Sequence, residues 1–402
     1  MVLMGSVARP HEPDRLRPMS TTSVSLPAPR TELRDRLRSL VDDFRLDGGV
    51  VAMFVVSRLL VVVAAFIAEW FIPRNPALTS GADGSILTSL SSWDGAWYLG
   101  IVQNGYHADP LASGYRDIAF APLYPLIIKV LSAPWPAYAG LVAVAVSNVA
   151  FLAALGLLTT LGTPYLGRRR AALAAGFLAI YPFASVFAMT YTESIFLLFM
   201  VAAFLAAERR HRTWAGIFLA LTVLSRLQGV GLILPLWVLM LRQDGWRPRP
   251  SQAWLLLGPL AGLGFIGYVG LLSGSLTAFL DAQKAWGRTG VGAAPPDATV
   301  AARFSPYQAA LLGTLMWSVF LFVFVRVDKM RPEYWLIPVV FIAAEFSSGS
   351  LEAVGRITML AFPYVWILAN RRSLFARRAW PVVSAGLFTA IAILSFGGYW
   401  VP

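Results

Sequence analysis

FAPLYPLIIKVLSA, residues 120–133, decides how the chain threads a bilayer. The stretch is apolar, but it is short and carries Pro122 and Pro125. A crossing helix needs about 20 apolar residues. With the N-terminus inside, reading 120–133 as a re-entrant or interfacial piece places every later basic cluster on the cytoplasmic side. Counting it as a span places all of them outside. Since cytoplasmic loops carry the excess of Lys and Arg, the first reading is preferred.

The charge distribution makes this argument usable. The 402 residues are 57% hydrophobic and 13% charged, with a mean hydropathy of +0.64. A soluble domain carries about 25% charge, so this is a polytopic membrane protein. Of its 33 Lys and Arg, 24 fall in residues 1–49 and in short loops at 168–170, 209–212, 242–249, 326–331 and 371–378. The net charge of +12 therefore sets orientation and is no nucleic-acid signature. There is no cysteine, which excludes disulfides and thiol chemistry, and the three histidines (His11, His107, His211) are too scattered for a zinc site.

Outward from 120–133, the chain divides into a cytoplasmic arm, 1–49, largely disordered, and a membrane domain, 50–402. The fold class expected is all-α, a bundle of about eleven spans. They lie at 50–72, 138–161, 171–189, 192–207, 213–225, 229–241, 252–272, 308–325, 333–347, 356–370 and 380–397, with a large first extracytoplasmic loop at 73–137. The first span is expected to act as a signal anchor. Several spans are short and meet in pairs on the outer side, where they are expected to surround a cavity.

The polar residues that do not belong to basic clusters converge on that side. SSWDGAWYLGIVQNGY, residues 91–106, puts Asp94 among Trp93, Trp97 and Tyr98. As a helix it sets Asp94 with Tyr98, and Trp93 with Trp97, at i, i+4. Ser91 or Ser92 is expected to cap its start and Gly105 to end it. Tyr191-Thr192-Glu193-Ser194, Ser225-Arg226-Leu227-Gln228-Gly229, Ser347-Ser348-Gly349-Ser350, Glu352 and Arg356 join from later turns. Each has a plainer reading. Asp94 offsets a helix dipole, Glu193 caps a helix, and Arg226 and Arg356 snorkel to lipid phosphates. Arg58 snorkels or pairs within the bundle, and Asp109, Arg116 and Asp117 lie in a polar loop where exposure is the default. Ionisable groups at membrane depth cost at least about 2.5–3.5 kcal/mol and usually have a partner or a task, and here acid, base, hydroxyls and aromatics share one leaflet.

The order of motifs resembles the PIG-V family, the GPI mannosyltransferase 2 group of membrane glycosyltransferases. The resemblance is carried by Trp93-Asp94 with Tyr98, Ile101 and Gly105-Tyr106, by Phe120-Ala121-Pro122-Leu123-Tyr124-Pro125, by the 191–194 and 225–229 motifs, and by Gly355-Arg356 with Phe362-Pro363. Ala121 and Gln228 depart from the usual residues. The resemblance implies a GT-C type fold, a polyprenyl-phosphate sugar as donor, no further cofactor, and Asp94 as the catalytic base. With no Asp-x-Asp in the sequence, metal independence is expected, the leaving phosphate being met instead by Arg226 and Arg356. Trp93, Trp97, Tyr98, Tyr124, Glu193, Gln228 and Glu352 complete the expected substrate-binding set.

The expected function is transfer of a mannosyl residue from that donor to a glycan, lipid- or protein-linked acceptor at the extracytoplasmic face of the cell membrane, with inversion. A transporter or lipid flippase of similar architecture is the alternative; it usually shows internal repeats and a midplane site, and no convincing repeat links the halves here. A non-catalytic subunit is the third reading, made less attractive by Asp94 in its aromatic frame.

Overall fold

In the computed structural model every regular element among the described residues is helical. The structure describes residues 46–75, 85–107, 117–286, 306–327, 330–348, 353–371 and 378–399. All belong to the second of two units into which the chain divides, Asp42–Pro402. In chain order the helices are α1 (Gly48–Phe71), α2 (Ile86–Leu90), α3 (Asp94–Asn104), α4 (Leu123–Ser132), α5 (Ala139–Leu166), α6 (Arg168–Ala179), α7 (Glu193–Glu208) and α8 (Arg212–Ser225). They continue as α9 (Ile233–Gln243), α10 (Leu257–Ser273), α11 (Ala278–Ala285), α12 (Pro306–Val327), α13 (Pro332–Ser348), α14 (Val354–Met359), α15 (Pro363–Asn370) and α16 (Trp380–Phe396). Glu352, like Asp109, Arg116 and the arm up to residue 45, lies outside the described residues.

The sequence of α7, ESIFLLFMVAAFLAAE, is apolar on all sides, and such a helix belongs at the centre. Nearly every one of its residues is buried, and it packs against α5 and α8. Small residues on α5 (Ala143, Ser147, Ala150, Ala154, Gly162) face inward, which lets helix backbones approach where no hydrophobic effect drives them together. The outer helices do the reverse: Val55, Leu59, Val62 and Phe66 of α1, Leu260, Leu263 and Leu271 of α10, and Val382 and Val383 of α16 are exposed. That apolar exterior is what a bilayer solvates.

Among the described residues three helical segments are long and apolar enough to cross a membrane: Gly48–Phe71, Pro136–Leu166 and Pro250–Ser273. The other expected spans contain helix, but α8 has only 14 residues and α9 only 11. The segment 120–133 becomes α4, 10 residues long, about 15 Å of helix against a hydrocarbon core of about 30 Å. Two expected spans are broken. Segment 171–189 stops as α6 at Ala179 and resumes as a 3-10 turn, Ala184–Ala188; segment 356–370 divides into α14 and α15. Pro182 follows the first helix and Pro363 starts the second piece; proline lacks the N–H that would extend a preceding helix and disfavours helical backbone in the residue before it. The start of α14 abuts the first break, since a Cβ on Gly355 would collide with the ring of Phe183.

Away from the site, Arg58 is paired within the bundle: it donates to Asn148 Oδ1 at 2.9 Å and to Ser57, and lies over the rings of Phe54 and Phe151. Asp244, just past α9, accepts from Gln252 Nε2 at 2.9 Å and lies 3.1 Å from Arg212, 3.6 Å from Arg210 and 3.8 Å from Arg249, tying α8 to α9 and the turn that leads to α10.

Gly216 tests this packing. It lies where α8 meets the Pro250–Leu256 turn, and a Cβ there would collide with the Trp254 carbonyl, whereas a Cβ on Gly264 of α10 meets nothing within 4 Å. Gly216→Ala is expected to cost about 1–3 kcal/mol or more by overpacking against backbone, lowering the thermal midpoint in detergent. Gly264→Ala is expected to be neutral or to raise it by helix propensity. Equal midpoints would contradict the close approach.

Candidate functional site

The helix expected at 91–106 forms as α3, ending at Gly105 in a positive-φ conformation (φ 77°). Its start differs from expectation. Ser91 Oγ pairs with Thr190 Oγ1 at 3.1 Å and Ser92 Oγ donates to Ser89 O at 2.8 Å, so neither caps the helix. The cap position falls to Trp93, at φ 59° and ψ −126°, a conformation costing about 1–3 kcal/mol for a residue other than glycine. Trp93 is held there by its indole N–H, which donates to Ser395 O at 3.0 Å. This turn separates Trp93 from Trp97, which stacks on Phe120 (centroids 6.0 Å apart) and meets Trp286 edge-on at 5.3 Å.

Asp94 is the first residue of α3 and the acidic residue of its first turn. Oδ2 accepts from Arg356 Nη1 at 2.6 Å. The Asp94 amide donates to Tyr191 Oη at 3.3 Å, and the Arg356 guanidinium lies over the Tyr191 ring, 5.5 Å from its centroid. The 190–192 turn is pinned to this loop: Thr190 N–H donates to Leu90 O at 2.8 Å, and Thr190 limits the space beside Gly95. Tyr98, one turn after Asp94, donates to Thr192 Oγ1 at 3.4 Å.

Glu193 opens α7 and is wholly buried. It accepts from Arg226 Nη1, and Arg356 Nε stands 3.8 Å from the same oxygen. Arg226 reaches it because α8 stops at Ser225 and Arg226 itself is extended (φ −155°, ψ 124°). Beyond it, the Leu227–Leu232 turn packs tightly, a Cβ on Gly229 falling 3.1 Å from the Phe196 ring and from Thr222. The four groups thus form one alternating chain, Asp94–Arg356–Glu193–Arg226, with two carboxylates and two guanidiniums. Arg226 and Arg356 do not reach outward to lipid; both are buried.

Asp94, Tyr98, Arg226 and Gln228 line one cavity of about 280 Å³, completed by Ala119–Phe120–Ala121, Ser225, Leu227, Ala344, Ser347 and the face of α11. Arg356 does not border it. Its side chain is 4% exposed against 19% for Asp94, so it stands behind the carboxylate. Tyr124 is also set back: fully buried, with its hydroxyl between Ala143 O at 3.0 Å and Ser147 Oγ at 2.7 Å, it joins α4 to α5. Asp117, expected to be exposed, is buried because both the backbone N–H (3.0 Å) and the ring Nδ1 (2.7 Å) of His107 meet its Oδ2. Phe279, Gln283 and Trp286 were not among the expected residues. Their spacing, i, i+4, i+7, is one helical face and is the signal that marks α11 as a cavity wall. Among the described residues no group of three or more His, Asp or Glu is placed to hold a metal ion.

The sequence profile of the family described as Mannosyltransferase (PIG-V) matches residues 72–234, which carry Asp94, Glu193 and Arg226. No curated protein matches. The crystal structure of ArnT from Cupriavidus metallidurans bound to undecaprenyl phosphate is similar at 16% identity and a TM-score of 0.46, over 86% of this chain and 76% of that one. The Archaeoglobus fulgidus oligosaccharyltransferase, tethered with an acceptor peptide containing the NVT sequon via a disulfide bond, is similar at 15% identity and a TM-score of 0.46, over 87% of this chain and 55% of that one.

Breaking one buried ion pair leaves a charge uncompensated and costs about 3–5 kcal/mol, while removing both partners costs less. Glu193→Gln and Arg226→Gln are each expected to lower the thermal midpoint in detergent, and the double variant to recover part of that loss. A double variant as damaged as the two singles summed would show that the pair is not coupled.

Proposed function

We propose that the chain is a membrane glycosyltransferase that moves a mannosyl residue from a polyprenyl-phosphate-linked donor to a lipid- or protein-linked acceptor at the extracytoplasmic face, with inversion. The observation that carries this reading is the placement of a carboxylate, Asp94, and a guanidinium, Arg226, on the wall of one cavity, within the residues that match the mannosyltransferase profile.

The chemistry follows from those two groups. An acceptor hydroxyl attacks the anomeric carbon; the new C–O bond forms as the bond from that carbon to the phosphate oxygen breaks. The hydroxyl proton passes to Asp94, and the electron pair leaves with the lipid phosphate. A carboxylate within hydrogen-bond reach serves as such a base. The leaving charge is met by Arg226, whose fixed planar fork suits phosphate. A single displacement inverts the anomeric centre, so a β-linked donor gives an α-linked product.

The two arginines take different parts. Arg226 borders the cavity and Arg356 stands behind Asp94. Arg356 is therefore a positioning residue that holds Asp94 aimed, and Arg226 is the phosphate contact. Tyr98 and Gln228 line the cavity beside them, and Trp97 supports the Phe120 wall.

Purified protein given radiolabelled polyprenyl-phosphate mannose and candidate acceptors tests the reading. Transfer or sugar release is expected, and Asp94→Asn is expected to lower turnover by about 10²–10⁴-fold, the range typical of general-base catalysis. An active Asp94→Asn would remove it as the base; no release from any donor with the wild type would favour a transporter. Arg226→Gln is expected to raise KM for the donor, and Arg356→Lys to lower kcat with KM little changed, because the two act on different partners. A chelator is expected to leave turnover unchanged.

The sidedness has its own test, because the chain has no native cysteine. Gln103 on α3 and Arg247 after α9 are both exposed. In intact cells an impermeant thiol reagent is expected to label Gln103→Cys and not Arg247→Cys; the opposite pattern would invert the topology.

A further inference from the structure

Helix α7 carries a carboxylate at each end, and the first, Glu193, is paired with Arg226 in the ion chain described above. Glu208 lies 15 residues beyond Glu193 on this helix, about 22 Å along its axis at 1.5 Å per residue. It lines a second cavity, about 750 Å³, walled by the end of α5, the start of α6, the end of α7 and Arg331 just before α13. The charged lining is Arg168, Arg209 and Arg331 against Glu208. That one carboxylate is already engaged. Tyr334 donates to it at 2.7 Å, Tyr165 donates to the same oxygen, and Arg331 Nη1 lies 3.9 Å away. Arg168 has its carboxylate neighbour, Asp47 at 3.8 Å, outside the cavity.

The chamber does not stand alone. Tyr165 and Arg331 also line a neighbouring cavity of about 240 Å³, where Leu166, Met330, Trp366 and Ile367 are apolar walls. A cationic chamber next to one walled in part by Leu166, Met330, Trp366 and Ile367, beside Tyr334 and Asn370, fits a molecule with an anionic head and a hydrocarbon tail. Guanidiniums meet phosphate oxygens through their planar forks, and the apolar walls take the first methylenes. We propose that this end of the bundle binds the phosphate head group of an anionic lipid, at a site separate from Asp94 and facing the other leaflet. The binding does not depend on glycosyl transfer.

Native mass spectrometry of the full chain in detergent, titrated with phosphatidylglycerol or phosphatidylcholine, tests this. One phosphatidylglycerol is expected to stay on each chain where phosphatidylcholine does not. Arg168→Gln combined with Arg331→Gln is expected to weaken retention about tenfold or more, the loss of one or more charge-assisted hydrogen bonds. Thr160→Trp places bulk in the cavity lining without altering charge, and is expected to weaken it as well. If the arginine variant fails to fold, Thr160→Trp decides alone. Equal retention of the two lipids, or unchanged phosphatidylglycerol retention in a folded variant, would overturn the site. Inorganic phosphate displacing the lipid at the lipid's own concentration would overturn the lipid assignment and leave a small-anion site.

Discussion

Four charges joined in one chain, three of them buried and Asp94 on the cavity wall, constrain the rest of the molecule. An isolated ion in a low-dielectric interior is too costly to keep, so Asp94, Arg356, Glu193 and Arg226 must arrive as a set. They come from four separate parts of the chain: the first loop, the short helix α14, the start of α7 and the end of α8. None of these segments is free to move without stranding a charge on another. The strained backbone at Trp93 is one consequence, because it turns the chain so that Asp94 faces Arg356 while the indole holds Ser395.

Helix interruptions are the means by which those charges reach the centre. A continuous helix satisfies its own backbone and presents side chains only sideways. A helix that stops inside the bundle can aim a residue along its axis, as Arg226 does from the extended residue after α8. The short helix α14 carries Arg356, and its Gly355 packs against Phe183 at the first proline break. Irregular backbone at membrane depth is tolerated where protein buries it or a cavity accepts its polar groups, and both conditions are met here.

The sequence was most legible where local rules act. The length of 120–133 foretold a helix too short to span. The aromatic frame around Asp94 and the Gly105 stop foretold α3. The convergence of Asp94, Glu193, Arg226 and Arg356 followed from topology and from motif order. What failed depended on contacts distant in sequence. Ser91 is drawn away from its cap by Thr190, Tyr124 is set back from the cavity by Ser147, and Asp117 is buried by His107. Hydropathy also joined α14 to α15 and α6 to the turn after it, because apolar runs continue through Pro182 and Pro363 whether or not the helix does. The wall at Phe279, Gln283 and Trp286 was present as a spacing but carried no charge to draw attention.

The depth of the ion chain also separates two kinds of electrostatics in one molecule. Mobile salt screens charges over about 8–10 Å of solution at physiological strength, and it cannot enter where Glu193 and Arg356 lie. Around Asp244, by contrast, Arg210 and Arg249 have side chains 61% and 63% exposed, well within reach of counterions. Ionic strength is thus a dial that loosens the rim of this protein while leaving its centre as tightly bound in brine as in dilute buffer.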